Sequence, residues 1–212
     1  MRKYFKYVAY LIVAVAFSSA RAGAYEDFFS AVARDDDRTI VQLLQRGFDP
    51  NSRDPAGQTG LILALRDEAL RVSEALWKSP QLDVNTENAS GENALMMAAL
   101  RGRLDWMQRL LERGARPHKA GWSPIHYAAT GPEAKAVALL LERDAPVDAR
   151  SPRQDTPLMM AARYGTEASV DLLLARGASA AATNDRNLDA ADMARAGGRD
   201  FLVARIEKSV KR

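Results

Sequence analysis

Apolar and polar positions alternate along this chain on two scales. Locally they keep a helical spacing: Phe28, Phe29, Val32, Ile40, Val41, Leu43 and Leu44 mark the apolar faces of a leading pair of helices, with Gly47 as the stop. On the longer scale, the stretch Ser123-Pro124-Ile125-His126-Tyr127-Ala128-Ala129 returns as Thr156 to Ala162 and as Asn93 to Ala99. Looser copies run from Thr59 to Ala64 and from Asp189 to Ala194. The anchors Leu61, Leu95, Ile125, Leu158 and Ala191 are 34, 30, 33 and 33 residues apart. An apolar pair follows the regular copies, as in Leu110-Leu111, Leu140-Leu141 and Leu173-Leu174, and Gly-Ala then commonly ends the segment. Each copy therefore predicts a tight turn and two antiparallel helices. Pro124 and Pro157 open a first helix, where a missing N–H costs nothing. No such unit can bury its apolar face alone, so the units must stack.

The resulting units are a capping pair over 25–53, repeats over 54–87, 88–118, 119–150 and 151–183, a closing repeat over 184–209 and a short tail over 210–212. The unit over 54–87 is the most degenerate, with Gly60 in the place of proline and Leu76-Trp77 in the place of the leucine pair. The join through Arg116 to Trp122 is about three residues short, which predicts a blunter turn there. The acidic run Asp35-Asp36-Asp37 is expected to be a solvated turn that caps the next helix.

A period near 33 with a Thr-Pro-Leu-His-x-Ala core resembles the ankyrin repeat over roughly 25–209. The resemblance implies an all-α repeat solenoid of helix-turn-helix units with short β-hairpin or turn tips. It also implies a structural role for His126, bracing turns by hydrogen bonds, and a contact surface on the concave side.

Composition changes this picture mainly at the start of the chain. Arg2, Lys3 and Lys6 precede an apolar run, and Ala22-Gly23-Ala24 ends it, which is the pattern of a secretory leader over 1–24. The uncharged run from Tyr7 to Ala20 is 14 residues, short of the roughly 20 that a spanning helix needs. Cleavage is thus expected to leave no membrane anchor. The full chain carries 30 basic and 27 acidic residues, net +3; the leader holds four basic residues and no acidic ones, so the remainder stands at 26 against 27, net −1. The charge argument for nucleic acid disappears with it. Without cysteine there is neither a disulfide nor a thiolate site, and the fold must rest on packing.

Candidate chemistry is sparse. The two histidines, His118 and His126, share no metal-ligand spacing with carboxylates, and no nucleophile-base pattern or phosphate loop is present. Met96 and Met159 occupy the slot of His126 in the adjoining repeats, and Met97, Met160 and Met193 the next position. Core filling is the expected role of all five. No catalysis, cofactor or metal is expected. Carrying the concave-side positions of ankyrin arrays onto this chain gives the partner-binding set Arg66, Arg101, Trp122, Arg153, Asp155, Arg163, Tyr164 and Arg195. Arg66, Arg101, Arg163 and Arg195 are expected to align in one cationic stripe beside an exposed Trp122, a composition suited to an interaction hot spot and to an acidic protein partner. The chain resembles the small periplasmic ankyrin proteins of Gram-negative bacteria. That resemblance implies a monomeric, non-catalytic binding module for an envelope or stress-related protein, with a secreted effector for a host protein as the alternative. A metal or small-molecule carrier is a third, weaker reading.

Overall fold

A computed structural model describes residues 23–210. The expected leader lies outside them apart from Gly23 and Ala24, as does the end of the tail. The described residues are helices joined by turns, and the bridge between Arg53 and Thr59 is the one extended pairing among them. They divide at Leu82 and Asp83 into two compact units.

The first unit holds α1 (helical over 23–33), α2 (Asp37–Gln45), α3 (Gly60–Arg66) and α4 (Leu70–Trp77). Phe28, fully buried, stacks on Phe48 with centroids 4.7 Å apart and meets Phe29 edge-on at 5.1 Å. That ring explains the irregular Gly60. A Cβ at residue 60 would lie 2.7 Å from the Phe28 ring, so the proline of the regular motif has no room. The acidic run does more than cap one helix. Asp36 accepts from the Thr39 N–H and hydroxyl at 3.2 and 2.7 Å, and these bonds hold its carboxyl below the usual range. Asp35, at φ 52°, accepts from the Val72 N–H at 2.9 Å and so caps α4, whose own N-cap residue Ala69 has no acceptor. Three expected core residues fall short, Phe29 in α1 being only half-buried and two more lying in α2. Ile40 and Leu43 are buried, but Val41 is 36% exposed and Leu44 only half-buried, because a helix 9 residues long turns one stripe inward.

The second unit contains α5 (Ala94–Leu100), α6 (Leu104–Glu112), α7 (Pro124–Thr130), α8 (Ala134–Leu141), α9 (Pro157–Tyr164), α10 (Glu167–Ala175) and α11 (Ala190–Ala196). A 3₁₀ turn at Asp200–Leu202 leads into α12 (Val203–Val210). The first helices α5, α7, α9 and α11 pack side by side in chain order, and the second helices back them. The alanine pairs at 98–99, 128–129 and 161–162 are wholly buried in the first layer, where larger side chains would hold neighbouring repeats apart. Leu110, Leu140 and Leu173 are wholly buried between the layers, while the second leucine of each pair is less so. Backbone meets backbone at Gly131 and Gly197. A Cβ there would come within 2.8 Å of the Ala99 and Leu100 carbonyls and 2.6 Å of the Arg163 carbonyl, respectively. These glycines fix how closely each repeat docks on the one before.

Candidate functional site

Each first helix opens on an N-cap residue, namely Thr59, Asn93, Ser123, Thr156 and Asp189. The side chain three residues on accepts from the N-cap N–H in three of them. His126 does so through Nδ1 at 3.2 Å, Met159 through its sulfur at 3.4 Å and Asp192 through a carboxylate oxygen at 3.3 Å. The opposite nitrogen of His126 therefore carries the proton and donates to the carbonyls of Ala149 and Asp155 at 3.1 and 3.2 Å. His126 is completely buried, and burial lowers its pKa below the ordinary 6.5. It braces turns, as expected. Met96, Met97, Met159 and Met193 are buried, which fits core filling, while Met160 is half-exposed.

The turn tips follow one rule with one exception. At the fifth residue before the N-cap, Asp54, Asn88, Ser151 and Asn184 each accept from two N–H groups of their own loop. The backbone N–H of each also closes onto the carbonyl four residues on, at 2.8 to 3.0 Å. His118 holds that place in the remaining repeat, and its tip is closed by neither kind of bond among the described residues. Instead, the Lys119 N–H reaches the Ser123 hydroxyl at 3.4 Å, and its ammonium crosses to Glu87 and to the Gly91 carbonyl of the preceding tip. The blunter turn predicted here is thus an open one.

Trp122, the last residue of that open tip, is not the free-standing exposed side chain expected. It is half-buried, folded edge-on against His126 and Tyr127 with centroids 5.4 and 6.3 Å away. With Leu100, His126, Tyr127, Thr130 and Met160 it lines a depression of about 190 Å³. Tyr127 and Met160 lie four residues past their N-caps, and Leu100 and Thr130 seven past theirs. These positions fall on one face of the first helices, one turn apart. The Tyr127 hydroxyl donates to Glu92 at 2.8 Å, and burial followed by that carboxylate raises its pKa. Of these residues the expected binding set holds Trp122 alone; Tyr127 stood only as a motif position and Met160 as a core filler, although the repeat places both beside it. Larger grooves on α2 and α4 of the first unit mix Val41, Leu70 and Ala75 with the charged Asp37, Arg71, Glu74 and Lys78, and no aromatic side chain lines them.

The arginines do not share one register. Arg66 and Arg163 stand seven residues past their N-caps, Arg101 eight and Arg195 six, which at about 100° per residue turns them to different directions. Arg66 also belongs to the first unit and the other three to the second. The Arg66 guanidinium donates to the Asp67 carboxylate at 2.8 and 2.9 Å and to the Gln58 side-chain amide oxygen at 2.8 Å. Arg195 takes the place held by buried alanines in the repeats before it and binds Asp192 and Glu207 at 2.9 and 2.6 Å; the Glu207 bond leads in raising its pKa. It belongs to the closing cap. Asp155 is a second correction: it is buried, its carboxylate held by Asn184 at 2.8 Å, so it joins two repeats and faces no partner. Arg101 and Arg153 are exposed, and the Arg163 guanidinium lies 5.0 Å from the ring of Tyr164, which is 54% exposed.

The family model for ankyrin repeats, in three copies, matches residues 28–120 and 116–184. Human transient receptor potential cation channel subfamily A member 1 is 27% identical over 159 residues, 70% of this chain and 14% of that protein. Human SH3 and multiple ankyrin repeat domains protein 2 is 33% identical over 151 residues, 68% of this chain and 8% of that one. The chain thus spans a small part of the length of the curated relatives it matches. A solved complex of a predatory endopeptidase from Bdellovibrio bacteriovorus with an immunity protein contains a chain that superposes with a TM-score of 0.71 at 24% identity, covering 86% of this chain and 97% of that one, a likeness of fold. Repeat period, capped first helices, stacked alanine layer and family match agree: the chain belongs to the ankyrin-repeat family.

Proposed function

We propose that this chain is a non-catalytic, exported binding module that takes a protein partner on the inner face of residues 83–210. Ankyrin repeats act as protein-interaction modules, and one observation directs this one to a surface: the half-open depression at Trp122 and Tyr127, with Tyr164 exposed and Arg163 beside it. Aromatic and arginine side chains together supply the anchors of protein interfaces. The leader pattern over 1–24 supports work in the periplasm, where an envelope or stress-related protein is the partner proposed. A photo-crosslinking residue at position 164 should join the partner in periplasmic extract, and one at the outer-helix position 108 should not. The reverse pattern would place the contact on the outer helices. Intact mass of the exported protein should begin at Tyr25; retention of 1–24 in a membrane fraction would overturn the export reading.

A further inference from the structure

We infer that the depression at Trp122 and Tyr127 takes one large apolar side chain of an extended partner segment, with a carboxylate two residues to either side of it meeting Arg163 and Arg153. The inference rests on the inner-face reading above and names the chemistry of the segment bound there.

Size limits the occupant. A cavity of 150 Å³ holds benzene, whereas sites for drug-sized ligands begin near 300 Å³. About 190 Å³ therefore suits one leucine, methionine or aromatic side chain. Polarity limits it further, because the polar groups of the lining are engaged within the protein. The Tyr127 hydroxyl donates to Glu92, the Thr130 hydroxyl donates to the His126 carbonyl at 2.9 Å, and both nitrogens of His126 are bonded to backbone. A polar occupant would lose its water bonds and find no free donor within the lining except the Trp122 N–H at the rim. The Trp122 indole N–H has no hydrogen-bond partner among the described residues and remains accessible to solvent, a rim donor for a partner's backbone carbonyl.

Charge sets the flanks. Arg66 and Arg195 are committed to carboxylates, but the side chains of Arg153 and Arg163 meet none among the described residues. Arg163 stands three residues past Met160 of the lining, about 4.5 Å along α9. Arg153 lies on the opposite, tip side. It follows Pro152, whose ring would come 3.6 Å from a Cβ at Gly121, the residue before Trp122. In an extended segment, side chains on one face repeat about every 6.6–6.8 Å. An anchor in the depression thus presents residues two before and two after it to the two arginines. The acids nearby do not compete, because Glu92 is bonded to Tyr127 and Asn88, and Asp155 is buried on Asn184.

The test pans a phage-displayed library of random twelve-residue peptides against the chain without its leader, then measures selected peptides by fluorescence anisotropy. Enriched sequences should carry a large apolar residue with Asp or Glu two positions away. Thr130→Trp, which fills the depression, should weaken them at least tenfold, and so should the double variant Arg153→Glu/Arg163→Glu. Peptide addition should also shift the emission of Trp122 to the blue, a change absent in Trp122→Phe, so that the inference stays testable even if Thr130→Trp unfolds. Binding lost in the arginine variant but untouched in Thr130→Trp would remove the anchor and leave the inner face standing. Binding untouched in both would overturn anchor and inner face together. Selection of no peptide, or of peptides without this pattern, would overturn the inference alone, since crosslinking at residue 164 reports the inner face independently.

Discussion

The tips before α9 and before α7 hold the same place in neighbouring repeats and do opposite things. Before α9, the Ser151 hydroxyl accepts from the N–H groups of Arg153 and Asp155 at 3.2 and 3.0 Å, and Asp155 turns inward to Asn184. The Ser151 hydroxyl and the Asp155 carboxylate are thus both engaged, within the loop and in the following repeat. Before α7, His118 supplies no such acceptor, and the last tip residue is an aromatic ring with nothing to bond inward. The ring lies down on α7 instead, and a depression opens between it and the neighbouring first helices. A closed tip spends its side chains on joining repeats. An open one leaves a surface that another molecule can fill.

The contrast should be confined to the tips, and the largest expected effects test that. Leu140 and Leu173 sit at equivalent, wholly buried positions behind the open and the closed tip. Replacing either with alanine should cost about 2–5 kcal/mol in denaturant unfolding. A cost below about 1 kcal/mol for Leu140→Ala would mean that the open repeat is loose throughout. Next in size, Ser151→Ala removes the acceptor of two N–H groups beside a buried carboxylate and should cost about 1–2 kcal/mol. His118→Ala at the matching place should stay within about 0.5 kcal/mol. Equal losses would break the comparison.

The pH response is expected to be gentler. Burial lowers the pKa of His126, so below about 6.5 the unfolded chain takes up a proton that the folded chain refuses. This part of the stability is complete above that value and is lost as pH falls below it. Melting temperature should therefore drop between pH 7 and 5, and His126→Asn should flatten the drop in that interval. The smallest effect sharpens the comparison from the other side. His118→Asn restores the acceptor that the other tips share and should add about 0.5 kcal/mol. If the tip then closes, the emission of Trp122 will change; an unchanged spectrum would show that the short join at Arg116 to Trp122, not residue 118, holds the tip open.

Much of this was legible in the chain. Helix positions and the stops at Gly47 and Gly114 follow from spacing and local backbone preference, and the brace at His126 is what the ankyrin resemblance implies. The cationic stripe was not legible in the same way. Arginines that look equivalent when repeats are aligned by eye differ by one or two positions once the N-caps are located, and one residue of slip on a helix rotates a side chain by about 100°. Asp155 looked like a tip charge because sequence shows a loop residue, not the Asn184 amide that comes to meet it.

By itself, then, the sequence determined the repeat, its period and the face each helix buries, because these depend on residues a few positions apart. It also marked two places as irregular, the unit over 54–87 and the short join through Arg116 to Trp122. Only the tertiary structure decided what the irregularities mean. Gly60 is small because the Phe28 ring arrives from another helix, and α4 is capped by Asp35, 37 residues away from the N–H it meets. The depression exists because Leu100, Thr130 and Met160, on three separate helices, are brought to one side of Trp122. Such meetings are set by how closely backbones dock at glycines like Gly131, and a linear pattern does not contain that distance.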